Sequence, residues 1–264
     1  MATYLDRILA AHRDAATRDD RLLDALADEA RARPACRGFA AALAARPVDE
    51  PAIIAEVKRR SPSKGDLGGD LDPAAVAAEY ADGGAACLSV LTDAEFFGGS
   101  PEDLAAARAV VDVPVIRKDF TVSAHDVCDA RLMGADAVLL IVAALDDAEL
   151  VDFHALAVEV GLDTLVEVHD EPELERALTV GATLVGVNQR DLVTFEVDTA
   201  RAVRMAPAMP DGVVRVAESG VRGPDDARAL VEAGYHALLV GESVVTSSDR
   251  AVAVRSLRRC TQVG

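Results

Sequence analysis

Three of the 27 basic residues in this 264-residue chain are lysines: Lys58, Lys64 and Lys118. The other cations are arginine, which stays protonated near neutral pH and cannot lend a proton. A lysine can, once burial or neighbouring cations lower its pKa. Lys58 and Lys118 close two strand-like runs, Ile53-Ile54-Ala55-Glu56-Val57-Lys58 and Val113-Pro114-Val115-Ile116-Arg117-Lys118. They are candidates for proton chemistry. Other apolar runs end in further polar groups: Glu167, Asn188-Gln189-Arg190, Glu218-Ser219-Gly220 and Gly241-Glu242-Ser243. Glu56 and Lys58, two residues apart on a strand, point to the same side. The last two run ends combine glycine and serine, which lets backbone N–H groups approach an anion such as phosphate. Phe96-Phe97-Gly98-Gly99-Ser100 offers an aromatic wall for a ring, and a second aromatic, Phe120, follows Lys118-Asp119. The stretch from Ser61 to Gly69 has the composition of a mobile lid carrying Lys64. It does not fit a P-loop.

These groups need a scaffold that brings many run ends together. From Pro51 onward, apolar runs alternate with Ala- and charge-rich helical stretches. The runs are Ile53–Val57, Ala86–Leu91, Pro114–Arg117, Ala137–Val142, Thr164–Val168, Thr183–Val187, Val213–Ala217 and Ala237–Val240. Their spacing of roughly 20 to 33 residues is that of strand–helix units. Alternate runs are announced by glycine at Gly83-Gly84, Gly134, Gly181 and Gly234, where a helix ends in the left-handed conformation. Runs apolar throughout are buried on both faces. The reading is α/β, a (β/α)8 TIM barrel over 51–264 with an N-terminal helical extension over 1–50, forming one domain. In the extension Tyr4, Leu5, Ile8 and Leu9, then Leu22, Leu23 and Leu26, recur at helical spacing. No dinucleotide or Walker loop follows the first run, which argues against an open doubly wound sheet.

Composition narrows the partners. Net charge is −18, a field that repels nucleic acid and anionic membranes. No apolar run is long enough to span a bilayer, and the first residues lack a signal peptide's apolar stretch, so the cytoplasm is expected. Cys36, Cys87, Cys128 and Cys260 have neither disulfide-framework nor zinc spacing. The five histidines show no ligand spacing either, although His169 follows a strand end.

At its strand ends the sequence resembles the indole-3-glycerol phosphate synthase family. The resemblance is carried by 54–65, 88–92 with Phe97-Gly98-Gly99-Ser100, 115–120, 165–169, 186–192, Glu218-Ser219-Gly220 and Gly241-Glu242-Ser243. It implies ring closure, decarboxylation and dehydration of 1-(2-carboxyphenylamino)-1-deoxyribulose 5-phosphate, with no metal or organic cofactor. By similarity Lys118 would protonate the ketone oxygen, and Glu167 would support the aromatic amine or act as a base. Glu56 and Lys58 would assist dehydration, and Asn188, Arg190 and Glu218 would orient the substrate. Ser61, Phe97 and Phe120 would also contact it, while Ser219, Gly220, Gly241 and Ser243 would hold the phosphate. A monomer or weak homo-oligomer is expected. Other phosphate-binding barrels are the rivals, but no cysteine lies at a strand end to serve a thiol–carboxylate isomerase, and no aspartates cluster there for Mg2+.

Overall fold

The computed structural model describes residues 3–47, 49–61, 65–68 and 70–261. Eight parallel strands close into a barrel. They are β1 (Ala52–Val57), β2 (Cys87–Leu91), β3 (Val115–Lys118), β4 (Ala137–Ile141), β5 (Asp163–Val168), β6 (Leu184–Asn188), β7 (Val214–Glu218) and β8 (Ala237–Val240). Each pairs with its neighbour in sequence, and β1 closes the ring against β8 with Ala52 opposite Ala237. Every expected run is a strand. No end shifts by more than one residue, and three strands run one residue further than expected, so that Lys118, Asn188 and Glu218 are the last residues of β3, β6 and β7.

Strand alternation divides the core in two. Ile54, Cys87, Ile116, Leu139, Leu165, Leu184, Val216 and Leu239 fill the barrel interior. Ile53, Leu88, Val138, Leu140, Val166 and Val185 belong to the outer layer, shared with Val76, Leu104, Leu150 and Leu174 of the surrounding helices. Both faces are therefore apolar, which is why the strand sequences read as continuous hydrophobic runs. Gly134 and Gly234, at φ +93° and +97°, end their helices in the left-handed region, as their placement before β4 and β8 predicts.

The extension runs from one end of the barrel to the other. Its helices are α1 (Tyr4–Thr17), α2 (Leu23–Arg31) and α3 (Phe39–Ala44). Phe39 and Leu43 of α3, fully buried, join Ala52, Cys87, Ala137 and Ala237 at the N-terminal ends of the strands. They seal the floor. On α2, Leu26, Ala27 and Ala30 are buried. Leu22 and Leu23, expected on that apolar face, are instead exposed, because the helix begins only at Leu23. Helix α1 lies at the opposite end, with Arg13 bonded to Glu149 and to the Ala144 carbonyl beyond β4. After β1, Arg60–Ser61 and Gly65–Asp66 form a short antiparallel ribbon. Lys64, on the lid expected there, lies outside the described residues.

Candidate active site

The C-terminal strand ends surround a cavity of about 510 Å3. All the proposed site residues line it: Glu56, Lys58, Ser61, Phe97, Lys118, Phe120, Glu167, Asn188, Arg190, Glu218, Ser219, Gly220, Gly241 and Ser243. The inward positions of eight strands converge there, so residues up to 187 apart in sequence become neighbours.

At its centre stands Lys118. Its Nζ lies 3.2 Å from Glu167 Oε2 and 3.6 Å from Glu218 Oε2. Asn188 Nδ2 donates to the other Glu167 oxygen at 3.1 Å. Glu218 fits because residue 186 is glycine, where a Cβ would fall 2.1 Å from Glu218 Oε1. Beside this group Lys58 Nζ meets Glu56 Oε1 at 2.5 Å. That pair needs the glycine at 241, whose added Cβ would lie 2.5 Å from Glu56 Oε1 and 3.0 Å from Lys58 Nζ. Gly241 thus has a packing duty that its sequence position does not reveal.

The electrostatics reverse one expectation. Burial pulls the Lys118 ammonium down, but Glu167, Glu218 and Glu56 outweigh it, and its pKa is raised rather than lowered. Glu167, Glu218 and Glu56 surround this ammonium, and their charges set the direction of the shift. Burial likewise pushes Glu167 up, yet Lys118, His169 and Asn188 prevail and hold it below its ordinary value. Glu218 goes the other way. Burial, followed by the charge of Glu167, pushes it up to about 8 against the pull of Lys118. The two glutamates are thus driven in opposite directions, Glu167 toward the carboxylate and Glu218 toward the proton-bearing acid, on either side of the Lys118 ammonium.

On one flank, residues 219 and 220 both adopt positive φ (65° and 77°). Gln189 turns away from the cavity, as alternation requires, but its Nε2 donates to the Ser219 carbonyl at 2.7 Å and braces that turn. Ser243 Oγ donates to the Val221 carbonyl, so its hydroxyl is already engaged within the protein. Arg190 Nη1 donates to the Phe195 carbonyl, and its N–H donates to Asn188 Oδ1. An apolar flank completes the lining, with Leu91, Phe97, Phe120, Leu139 and Ile141, joined by Leu192 and Phe195 of the loop that carries Arg190.

Sequence reasoning missed what steadies that apolar flank. His12 Nε2 of α1 lies 2.8 Å from Asp93 Oδ2, and Asp93 Oδ1 accepts the backbone N–H groups of Phe96 and Phe97. The His12 ring also packs on Phe120, 5.6 Å between centroids, while Tyr4 meets Phe96 and Phe195 edge-on. His12, Asp93 and Asp119 bring possible metal-ligand atoms within 4.8 Å of one another. Asp119, however, is already held by Thr92, Arg117 and the Phe120 N–H. The cluster is a hydrogen-bonded tie between α1 and the strand ends. His12 and Asp93 stand 81 residues apart, so only a pairing of helix 1 with the second strand's loop would have marked them.

Comparison with known proteins supplies an independent line. Residues 5–257 match the family model described as indole-3-glycerol phosphate synthase. A Streptomyces griseus protein named indole-3-glycerol phosphate synthase is 50% identical over 257 residues, covering 97% of this chain and 94% of its own. One of the same name from a Nocardioides species is 57% identical over 205 residues, 78% of this chain and 79% of that one. Among solved structures, a thiamine phosphate pyrophosphorylase from Pyrococcus furiosus superposes with a TM-score of 0.60 at 17% identity. It spans 81% of this chain and 96% of that one, and at such identity the likeness is one of fold alone.

Proposed function

We propose a division of roles at this mouth on one premise: the chain belongs to the indole-3-glycerol phosphate synthase family. It converts 1-(2-carboxyphenylamino)-1-deoxyribulose 5-phosphate to indole-3-glycerol phosphate. The aromatic carbon bearing the carboxylate attacks the ketone, CO2 leaves, and loss of water completes the indole.

Lys118 is the general acid for ring closure. Its raised pKa is no obstacle, because the ketone oxygen becomes an alkoxide as the bond forms, a stronger base than any amine. The surrounding carboxylates keep the ammonium loaded until that moment. Glu167, ionised and anchored by Asn188, faces the positive charge that develops on the aromatic amine, or takes up a proton there. Glu218, whose proton burial retains, donates a hydrogen bond to the substrate instead of repelling its anionic groups. Glu56 and Lys58 serve the dehydration, with Lys58 also reaching the phosphate. The consecutive left-handed residues Ser219 and Gly220, together with the backbone at Gly241 and Ser243, cradle that phosphate through N–H groups. Arg190 pairs with the substrate carboxylate, which suits its planar fork. Ser61 contacts the substrate beside the ribbon, and Phe97 and Phe120 flank its ring.

The observation that carries this reading is one lysine set between two buried glutamates at the centre of the cavity, their proton affinities driven apart. The reaction uses no metal or organic cofactor in this proposal. The extension and barrel act as one domain, in the cytoplasm, as a monomer or weak homo-oligomer. With a net charge of −18 the protein has no affinity for nucleic acid or membrane, and among the described residues no helix is long and apolar enough to cross a bilayer.

Turnover of the carboxyphenylamino-deoxyribulose phosphate, followed by indole fluorescence, tests the proposal. The chain has no tryptophan, so the background is low. Product formation that disappears in Lys118→Ala is expected. A folded wild-type protein that gives no product would overturn the reading.

A further inference from the structure

His169 stands behind the cavity wall and touches its base. It lies two residues beyond Glu167, on the same side of β5. One ring nitrogen, Nδ1, is 3.0 Å from Glu173 Oε2, and that oxygen also accepts the His169 backbone N–H at 2.7 Å. The other, Nε2, faces Glu167 Oε1 at 3.5 Å, is shielded from solvent and has no hydrogen-bond partner among the described residues. Glu167 in turn meets Lys118. A line of proton-bearing groups thus runs from Glu173, near the surface on the helix Glu171–Thr179, through His169 and Glu167 to the centre of the site.

The stoichiometry of the reaction creates a need for such a line. The substrate carboxylate leaves as CO2 and leaves its electron pair behind. The ketone oxygen departs as water, having taken up two protons, while the methylene carbon gives one back. Each turnover therefore draws one net proton from the enzyme. It must do so while substrate fills the cavity and keeps bulk water out.

Resting on the proposed reaction, we propose that His169 is a positioning residue for Glu167 and stores the proton that the closed site lacks. During turnover the imidazolium passes its Nε2 proton to Glu167, which hands it on to the depleted Lys118. The ring stays neutral, its Nδ1–H held by Glu173. After product leaves, water entering the cavity returns a proton to Glu167 and so to Nε2. The surroundings suit this duty. Burial and Arg201 work against the charged ring, but Glu173 and Glu167 outweigh them, and the pKa of His169 is raised. Glu167 on β5, Glu173 on the following helix and Arg201 on the helix Arg201–Met205 are the charged groups that act on it.

The test is His169→Gln, which keeps a hydrogen-bond donor for Glu173 but carries no titratable proton. The expected result is a kcat about tenfold lower, with KM within about twofold and the melting temperature unchanged. The alkaline limb of kcat, to which Glu218 also contributes, becomes less steep by one titrating group. Wild-type turnover measured alongside separates the two readings, since its absence would sink the reaction itself. Wild-type kcat in His169→Gln, or a slowed variant with an unaltered alkaline limb, overturns the proton store.

Discussion

Buried carboxylates occur at both ends of this barrel, and they are treated differently. At the floor Asp136, just before β4, is completely buried. It accepts the N–H groups of Arg37 and Val115, each at 2.9 Å, and pairs with Arg108 at 2.9 Å. Asp163 likewise accepts the Ala40 N–H at the entry to α3. These bonds hold the extension under the barrel. At the mouth, Glu167 and Glu218 are as deeply buried but crowd around one ammonium, and Glu218 Oε1 has no hydrogen-bond partner among the described residues. A buried charge whose oxygens are all matched fixes structure. Charges left partly unmatched have their proton affinities driven apart, and they remain available to a ligand.

That contrast can be broken most sharply at Lys118. Lys118→Arg keeps the charge but removes a transferable proton, and kcat should fall about a thousandfold with the melting temperature nearly unchanged. A kcat close to wild type would return the general-acid role to another residue. The mirror experiment is Asp136→Asn, which leaves N–H donors facing an amide and strands Arg108. About 3 kcal/mol of stability should go, lowering the melting point by roughly 6–12 °C for a chain of this size. The folded fraction should keep the wild-type kcat, and a selective loss of kcat would erase the distinction between the two ends.

Arg190→Met should raise KM about tenfold and affect kcat less. Truncating Lys64 should do so more weakly, and the reverse order would place the substrate carboxylate on the lid. The remaining effect concerns the titration of Glu218. Its folded pKa of about 8 exceeds its ordinary 4.5, so the folded protein holds a proton that the unfolded chain has shed. This contribution is complete below about 4.5 and is lost as pH rises toward 8. Glu218→Gln removes the dependence, and calorimetry should find its melting point gaining steadily on wild type as pH rises from about 5 to about 8. A constant gap would mean that Glu218 is ionised throughout.

The fold and the membership of the mouth were legible because a parallel barrel maps strand ends onto one rim. Once Lys58, Lys118, Glu167, Asn188 and Glu218 are read as strand ends, their convergence follows from closure alone. Distances were not legible. The sequence names the acids and lysines, but the direction of the Lys118 shift depends on how near Glu167, Glu218 and Glu56 stand to it. The reason for glycine at 241 sits 185 and 183 positions earlier, at Glu56 and Lys58. The His12–Asp93 tie joins an isolated helix to a loop, and helical periodicity says which face of α1 is apolar without saying which end of the barrel it meets. Leu22 and Leu23 mislead for a related reason, since periodicity does not mark where α2 begins.

The extension also bears on how the molecule is made. A ribosome delivers α1, α2 and α3 before any strand exists for them to touch. Helix α3 needs Cys87, Ala137 and Ala237 around it, and β1 lacks one neighbour until β8 emerges. During synthesis the apolar faces of Phe39 and Leu43 must therefore wait through nearly the whole of translation. The extension, made before the barrel strands, is among the last parts to find its place, and sealing of the floor coincides with completion of the ring.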